Sequence, residues 1–449
     1  MKKIADLFFI IAFSSAAHAQ YFDDNTINLS PVESTLQKML QDPAINPDSV
    51  LTVLSNWDKY PSITATGKDY FYYYHDLLYG NIPLRVFIPP SYASNQKTSL
   101  LLVLHGAVNA SNFERAQTLA NNYQDYQPAD GDIFFNYLSK QNFIIVRPFA
   151  DPSKNFDWVA NRLREPINPT FNTLVDIITQ LKKFLNIDDS KIFALGHSDG
   201  SDGAFSLDVY QPSTFAGFVC YNSLLTGIAV NNIYLKNTIN RPIYIVHSDL
   251  DNLRPIEQAR EIIKLLDNIN TPFLYKEYPG YKHYDKHLIK DIPFAVNFLK
   301  GISRNPFPAN IYWEMNDAHN DECDWIKITS FDTTQNASRW HKSYNTKGYN
   351  NLTKSFEDWD YYTIGKSAAI KGHYENNQFT IETSRVKEFD VLVSNEMLNL
   401  EKPIQVIVNG KTLFDEKISA DKSFLLGNFL KNFDRQALWV NKIHIKVPR

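Results

Sequence analysis

The stretch KIFALGHSDGSDGAF, residues 191–205, decides the fold that the sequence predicts. Its apolar beginning is typical of a buried strand, and the part that follows the glycines has helical character. Gly196, Ser198 and Gly200 join the two, so the chain must turn sharply with the serine at the apex. A serine oxygen held there lies above the N-terminus of a helix, where the helix dipole favours negative charge. The motif therefore makes Ser198 a candidate nucleophile.

Two downstream loops offer the base and the acid that a serine nucleophile requires. Asp251 follows the apolar run RPIYIVHS, and Asp249 in the same loop is the alternative acid. His283 follows the next predicted strand. His287 is the alternative base, but it falls in a helical segment, where we expect it to be exposed. The carboxyl ends of parallel strands share one edge of a sheet, so these loops are predicted to meet Ser198 there.

The same chemistry needs two backbone N–H donors for an oxyanion. The residue after the nucleophile, Asp199, is one candidate. The second candidate is Ala107, which follows the apolar strand SLLLVLHG, where Gly106 permits close approach of the backbone. His105 in the same segment is interpreted as structural rather than catalytic.

Three aromatic residues near these loops could line the acyl or alcohol side of a substrate pocket, or could simply pack. They are Trp158, Tyr281 and Tyr284. The proposed chemistry requires no cofactor and no metal, and no His/Cys cluster has the spacing of a zinc site.

Strands and helices alternate over residues 66–303, which predicts an α/β domain with a mostly parallel sheet covered on both faces. Residues 304–449 change to alternating apolar and polar positions, with a hairpin turn at Asn409-Gly410, and predict a small all-β, antiparallel domain. Residues 20–65 read as a helical cap, with one helical stretch from about Val32 to Trp57.

Residues 1–19 have the layout of a secretory signal peptide: Lys2 and Lys3, the apolar run LFFIIAF, and the cleavage pattern Ala17-His18-Ala19. The sequence therefore predicts export to the periplasm or the extracellular space. No later segment is predicted to span a membrane.

Composition narrows the classes of partner. A chain of 449 residues with 44% hydrophobic residues can bury a large core, which excludes general disorder. The formal charge of −4, without a basic stripe, argues against nucleic-acid binding. Only Cys220 and Cys323 are present, and we expect two separate thiols rather than a bridge.

The motifs LLLVLHGAV, FALGHSDG, VHSDLDNLRP and YPGYKHYD resemble those of the α/β-hydrolase superfamily, in the branch of dienelactone hydrolases and the catalytic domain of prolyl oligopeptidases. The resemblance covers residues 68–303 and implies a Ser198, Asp251 and His283 triad. The peptidases usually carry a second glycine where this chain has Ser201, and usually a propeller domain that the residues before the core are too few to form.

We therefore expect a secreted carboxylic-ester hydrolase that acts on a small-molecule or polymer-borne ester. One alternative is a serine peptidase of the prolyl oligopeptidase type. Another is an inactive hydrolase core with a glycan-binding β domain, in which tryptophans could stack on sugars, although we expect most of them to pack in the core or between domains. The candidates for that stacking are Trp313, Trp325, Trp340, Trp359 and Trp439.

Overall fold

The computed structural model describes residues 32–63, 65–107, 129–151, 154–158, 169–223, 234–350, 352–362 and 366–448. The predicted signal peptide, residues 1–19, lies outside the described residues. Within the ranges described, none of the helices is both long and apolar enough to cross a membrane.

An eight-stranded sheet organises the first two thirds of the chain. Its strands are β1 (Lys68–Asp76), β2 (Gly80–Ile88), β3 (Thr98–Leu104), β4 (Phe143–Pro148), β5 (Ile187–His197), β6 (Gly217–Tyr221), β7 (Ile243–Ser248) and β8 (Phe273–Tyr278). In space they follow the order β1-β2-β4-β3-β5-β6-β7-β8. Strand β2 runs antiparallel to both of its neighbours, and the pairs from β4 to β8 are parallel. The mostly parallel sheet predicted from the sequence is confirmed.

Helices cover both faces of this sheet. The helices along the chain are α1 (Val32–Gln41), α2 (Pro47–Ser55), α3 (Ala129–Leu138), α4 (Thr170–Lys182), α5 (Asp199–Tyr210), α6 (Ile256–Asn268), α7 (His287–Gly301) and α8 (Lys422–Asn432). In β3, Leu100 and Leu102 pack in one cluster with α4, α5 and α6, whereas Leu101 and Val103 pack in another with α3 and α7. Successive strand residues point to opposite faces, so β3 is buried on both.

Residues 310–446 form a separate region built mainly of antiparallel strands, as predicted. They are β9 (Asn310–Met315), β10 (Glu322–Cys323), β11 (Ile326–Phe331), β12 (Tyr344–Asn350), β13 (Ser355–Tyr362), β14 (Ala368–Glu375), β15 (Gln378–Ser384), β16 (Val386–Val393), β17 (Ile404–Val408), β18 (Lys411–Glu416) and β19 (Asn441–Lys446). They make a four-stranded sheet (β10-β11-β16-β19), a five-stranded sheet (β18-β17-β15-β14-β9) and the hairpin β12-β13.

The expectation that this region is all-β and antiparallel needs two corrections. Strands β15 and β17 pair in parallel. Helix α8 also lies within the region, where Asp421 Oδ1 caps it by accepting the amides of Ser423 at 2.7 Å and Phe424 at 3.0 Å. An N-cap of this kind satisfies backbone donors that would otherwise be unpaired, and it favours a helix at this point.

The N-terminal cap is two helices rather than the single stretch that was predicted. Helix α1 ends at Gln41, and Asn46 then caps α2 by accepting the amide of Ser49 at 2.8 Å. Both helices pack against α8 from the other end of the chain, in a cluster of apolar side chains that includes Leu36, Leu54, Trp57, Leu425, Leu426 and Phe429. The apolar face of the cap is therefore completed by the C-terminal region.

A buried guanidinium also joins the C-terminal region to the large sheet. Arg435 Nε donates to Asp189 Oδ2 at 2.8 Å, and its Nη1 donates to Asn186 Oδ1 at 2.7 Å. A further bond from Nη2 reaches the carbonyl of Ile187. Lys182 Nζ lies 2.7 Å from Asp189 Oδ1, so this carboxylate is shared between two cations.

Both cysteines are free thiols, as expected from the sequence. Cys220 is buried in β6, and Cys323 is buried in β10. Burial raises the pKa of the Cys323 thiol well above its ordinary value, which disfavours the reactive thiolate.

The tryptophans of the C-terminal region are mostly unavailable to a ligand. Trp313, Trp325 and Trp439 are buried in its core. Trp340 is half-buried, and the side chain of Trp359 lies outside the described residues. The three buried indoles therefore act in packing and offer no surface for stacking on sugars.

Candidate active site

Ser198 occupies the turn between β5 and α5. Its backbone has φ 57° and ψ −126°, a region that residues with a side chain rarely adopt. Two backbone bonds hold it there: its amide donates to Tyr221 O at 3.0 Å, and its carbonyl accepts from the amide of Ser201 at 2.9 Å. The strand–turn–helix arrangement predicted from the motif is therefore present at this serine.

The two glycines of the motif are required by packing. A Cβ atom at Gly196 would overlap the backbone of Gly200. A Cβ atom at Gly200 would overlap the carbonyl of Leu104, at the end of β3. Strand β5, helix α5 and the end of β3 therefore meet at a distance that leaves no room for a side chain.

Replacing Gly200 with alanine should lower the free energy of unfolding by about 3 kcal/mol or more, because the new methyl group meets backbone rather than a movable side chain. Chemical denaturation measures the change. Gly427→Ala in α8 is the matched control, since nothing lies within 4 Å of that position. It should be neutral or stabilise by up to about 1 kcal/mol. Equal stability of wild type and Gly200→Ala would contradict the packing argument.

Three of the predicted site residues lie in one line of hydrogen bonds. Ser198 Oγ is 2.8 Å from His283 Nε2. On the other side of the imidazole, His283 Nδ1 is 2.6 Å from Asp251 Oδ2. The serine is 9% exposed and the aspartate 4%, so the line runs from the edge of solvent into the protein.

Asp251 is held by donors on both oxygens. Its Oδ1 accepts the amides of Leu253 at 2.9 Å and Arg254 at 2.8 Å. Its Oδ2 accepts from Asn222 Nδ2 at 2.7 Å as well as from His283. Burial alone would raise the pKa of Asp251, but these hydrogen bonds and the nearby imidazole outweigh it and hold the pKa below its ordinary value. The carboxylate is therefore ionised at neutral pH.

The alternative acid, Asp249, is not part of the line of hydrogen bonds through His283. Asp249 Oδ1 instead accepts the amide of Gly280 at 2.6 Å and thereby ties its own loop to the turn that follows β8.

The expectation that His287 is an exposed helical residue is wrong. Its side chain is fully buried at the start of α7, and its Nε2 lies 2.8 Å from Asn222 Oδ1. Burial, with a further contribution from His197, lowers the pKa of His287 to about 4. The helical periodicity of the sequence does not show which side of the first turn of α7 is buried. In the structure the side that carries His287 is the buried one.

His197, directly before the serine, anchors the loop that carries His283. Its Nε2 donates to the carbonyl of His283 at 2.8 Å, and the two ring centroids are 4.8 Å apart. The ring of Tyr284 also lies near, with its centroid 5.8 Å from that of His197.

The two candidate oxyanion donors lie at the same edge of the sheet. Asp199 is the first residue of α5, so its amide is one of the donors that a helix leaves without an intrahelical partner. Ala107 is exposed and follows β3 by three residues. The close approach of Gly200 to Leu104 brings the start of α5 against the end of β3.

His105 has the contacts of a structural residue. Its Nε2 accepts the amide of Ala150 at 3.1 Å, so its Nδ1 carries the proton and donates to the carbonyl of Gly106 at 2.7 Å. The imidazole thereby supports the loop that leads to Ala107.

The three aromatic pocket candidates differ in their surroundings. Trp158 is 1% exposed, and its indole donates to the carbonyl of His105 at 3.0 Å, so it packs in the core. The hydroxyl of Tyr281 accepts a bond from Lys290, and its ring packs against Tyr278. Tyr284 is 46% exposed and is the candidate that offers a ring surface beside His197.

Sequence reasoning missed Arg254, which ties the loop of Asp251 to helix α5. Its Nη1 donates to Asp202 Oδ2 and its Nη2 to Asp199 Oδ1, both at 2.6 Å. Two acidic residues in the first turn of α5 were visible in the sequence, but their cation lies more than 50 positions away. The pairing places a positive charge between two carboxylates beside Ser198.

Asn222 was also missed, although a signal exists. It follows the buried strand β6 directly, at the carboxyl edge of the sheet where ligands bind. A polar residue at that place was as visible in the sequence as Asp251 after β7.

Among the residues that the structure describes, no three His, Cys, Asp or Glu side chains come together as metal ligands. The groups that the described residues bring together at Ser198 are a hydroxyl, an imidazole, a carboxylate and neighbouring backbone amides.

The sheet, the serine on its strand–helix turn, and the chain order of serine, aspartate and histidine define an α/β-hydrolase fold. The chain therefore has the fold of the superfamily that its motifs resemble, together with an additional C-terminal region of mainly antiparallel strands.

No protein-family model and no curated protein matches the sequence. Solved structures that are similar include a thermostable esterase, at 23% identity over 53% of this chain and 63% of that chain, with a TM-score of 0.43. Esterase 2 of Thermogutta terrifontis is 15% identical over 52% of this chain and 94% of that one, with a TM-score of 0.41. Dipeptidyl peptidase 4 of Porphyromonas gingivalis is 10% identical over 53% of this chain, with a TM-score of 0.41. The chain thus spans less than two thirds of the thermostable esterase and 36% of the peptidase.

Proposed function

We propose that this protein is an exported serine hydrolase that cleaves carboxylic esters through an acyl-enzyme. The observation that carries the proposal is the line of hydrogen bonds from Ser198 Oγ through His283 to the Asp251 carboxylate, at 2.8 and 2.6 Å. In this proposal Ser198 is the nucleophile, His283 the general base and Asp251 the acid that orients it.

The geometry supports a two-step acyl transfer. His283 Nε2 takes the proton of Ser198 as Oγ attacks the ester carbonyl, and Asp251 stabilises the imidazolium. The imidazolium then protonates the leaving alkoxide, and the acyl group remains on the serine. Water, deprotonated by the same imidazole, attacks the acyl-enzyme, and the proton returns to Ser198 as the acid product leaves.

The proposed oxyanion donors are the backbone amides of Asp199 and Ala107. The oxyanion forms beside the positive end of α5, whose dipole adds to the stabilisation. Arg254 offsets the negative charge that Asp199 would otherwise place at this point. Because Arg254 balances only one of the two carboxylates, Asp199 and Asp202, the stabilisation of the oxyanion falls to the backbone amides and the helix dipole.

An ester is favoured over a peptide because the chain has Ser201 where prolyl oligopeptidases usually carry a second glycine. Export is part of the proposal because residues 1–19 have the layout of a signal peptide. The substrate is a small-molecule or polymer-borne ester.

We expect the purified protein to hydrolyse nitrophenyl esters, with kcat/KM depending on acyl-chain length. An acyl series run beside feruloyl esters, acetylated sugars and prolyl peptide anilides measures the preference. A fluorophosphonate probe should label wild type at a single serine. Faster cleavage of a prolyl anilide than of any ester would reassign the protein as a peptidase, and a folded wild type that takes up no probe would refute the hydrolase.

A further inference from the structure

We propose that Asn222 is a positioning residue of this site: its side-chain amide, oriented by His287, holds the Asp251 carboxylate toward His283. The inference rests on the proposed function, because it concerns the same acid and base. It assigns a role to a buried histidine and a buried amide that the acyl-transfer steps themselves do not use.

Every hydrogen-bonding group of the Asn222 amide has a partner. Nδ2 donates to Asp251 Oδ2 and to Ser248 Oγ, both at 2.7 Å. Oδ1 accepts from His287 Nε2 at 2.8 Å. Asn222 and His287 are fully buried and Asp251 is 4% exposed, so these bonds are shielded from competing water.

The backbone explains why an asparagine suits this position. Asn222 has φ 51°, in the left-handed region that asparagine adopts more readily than most residues with a side chain. Its backbone N–H donates to the carbonyl of Val246 at 2.8 Å, which fixes Asn222 at the end of β6. Strand β6 lies between β5 and β7, so its end lies between the strand of the nucleophile and the strand of the acid.

His287 sets the direction of the amide. An ionised carboxylate only accepts hydrogen bonds, so the NH₂ group of Asn222 must face Asp251, and its carbonyl oxygen must face His287. His287 then donates from Nε2, and no described polar atom lies within hydrogen-bonding distance of its Nδ1. Its low pKa, about 4, keeps the ring neutral near pH 7, with this single donor directed at the amide.

The consequence for Asp251 is a fixed rotation of the carboxylate. Backbone amides hold Oδ1, while Oδ2 is shared by Asn222 and His283. The other titratable group facing Oδ2 is His247, whose Nε2 lies 3.8 Å away and is engaged with the carbonyl of Arg254. Without Asn222, the carboxylate can turn about Oδ1 and carry the imidazole with it. A misplacement of about 1 Å can cost on the order of 100-fold in rate.

Asn222→Asp gives a readout that a purely structural role would not produce. At low pH the introduced carboxyl and Asp251 share one proton, so an O–H group donates to Asp251 and the pair keeps the net charge of wild type. At high pH that proton is lost, and two negative charges face each other. We expect kcat/KM of the variant to approach that of wild type near about pH 6 and to fall about 10- to 100-fold below it by about pH 9.

A second variant removes the side-chain amide and keeps the backbone conformation. Asn222→Gly tolerates the left-handed conformation and removes the amide. We expect kcat to fall about 10- to 100-fold at every pH with KM little changed, and the rate of fluorophosphonate labelling to fall with it. Thermal unfolding of each variant checks that the protein is folded.

The matched control is Asn270→Asp, at an exposed asparagine with φ 62° that follows α6. The ratio of its kcat/KM to that of wild type should not change with pH. If the kcat/KM ratio for Asn222→Asp also does not change with pH, or if kcat of Asn222→Gly is unchanged, the positioning role is wrong but the proposed esterase activity is unaffected. A folded wild type that neither labels nor hydrolyses any ester overturns the proposed function, and this inference with it.

Discussion

Ser198→Ala should reduce kcat for ester hydrolysis by about 10⁵- to 10⁶-fold, the scale seen when a triad nucleophile is removed. Without Oγ no acyl-enzyme forms, and the remaining acceleration comes from binding and from the oxyanion donors. The free energy of unfolding should change little, because alanine has the same Cβ and meets the same backbone strain at φ 57°. Single-turnover hydrolysis and denaturation measure the two quantities.

Ser206→Ala is the matched control for this loss. Ser206 is a buried serine on the same helix, and its Oγ donates to the carbonyl of Asp202 at 2.7 Å. It should keep both activity and fluorophosphonate labelling, with the adduct mapping to the peptide that contains Ser198. Labelling that persists in Ser198→Ala would mean that another residue is the nucleophile.

Arg435→Met should lower the free energy of unfolding by about 3–5 kcal/mol, because it leaves buried polar groups without their cation. Asp189 would keep only Lys182 as a charged partner, and the amide oxygen of Asn186 would lose a donor. The carbonyl of Ile187 would also lose a hydrogen bond. Denaturant unfolding of the full chain measures the loss, and a lower m-value would indicate that the transition is no longer a single step.

Lys264→Met tests whether burial is the reason that the loss of Arg435 is strongly destabilising. Lys264 Nζ lies 2.6 Å from Glu261 Oε1, but the lysine side chain is 69% exposed. An exposed pair on a helix contributes only about 0.3–0.5 kcal/mol. If both variants lose the same small amount, the Arg435 network contributes no more than a surface ion pair.

The parts of the site that could be predicted are those encoded locally. Gly196 to Gly200 specify a strand–helix turn through steric crowding alone, and the elements on each side are visible in the periodicity of the sequence. Asp251 and His283 follow strands whose ends must share one edge of a parallel sheet. Local pattern and chain order were therefore sufficient to select Ser198, Asp251 and His283 as candidate site residues.

The parts that escaped prediction depend on pairing across distance. Arg254 bonds to Asp199 and Asp202, and no local pattern indicates that these charges meet. His287 lies in a helical segment whose buried side depends on how α7 packs against the loops. Helix α8 is stabilised through apolar contact with α1 and α2, from the opposite end of the chain. Tertiary packing therefore decided each of these cases.

The contact between α8 and the N-terminal helices has a consequence for synthesis on the ribosome. Helices α1 and α2 leave the exit tunnel long before their apolar partners, because Leu425 and Phe429 are translated almost 400 residues later. The same holds for Asp189, whose partner Arg435 is translated 246 residues later. Domains generally fold during translation from the N-terminus. Here α1 and α2 must remain soluble until α8 has been translated, and a stop codon before α8 would release a chain in which their apolar face is uncovered.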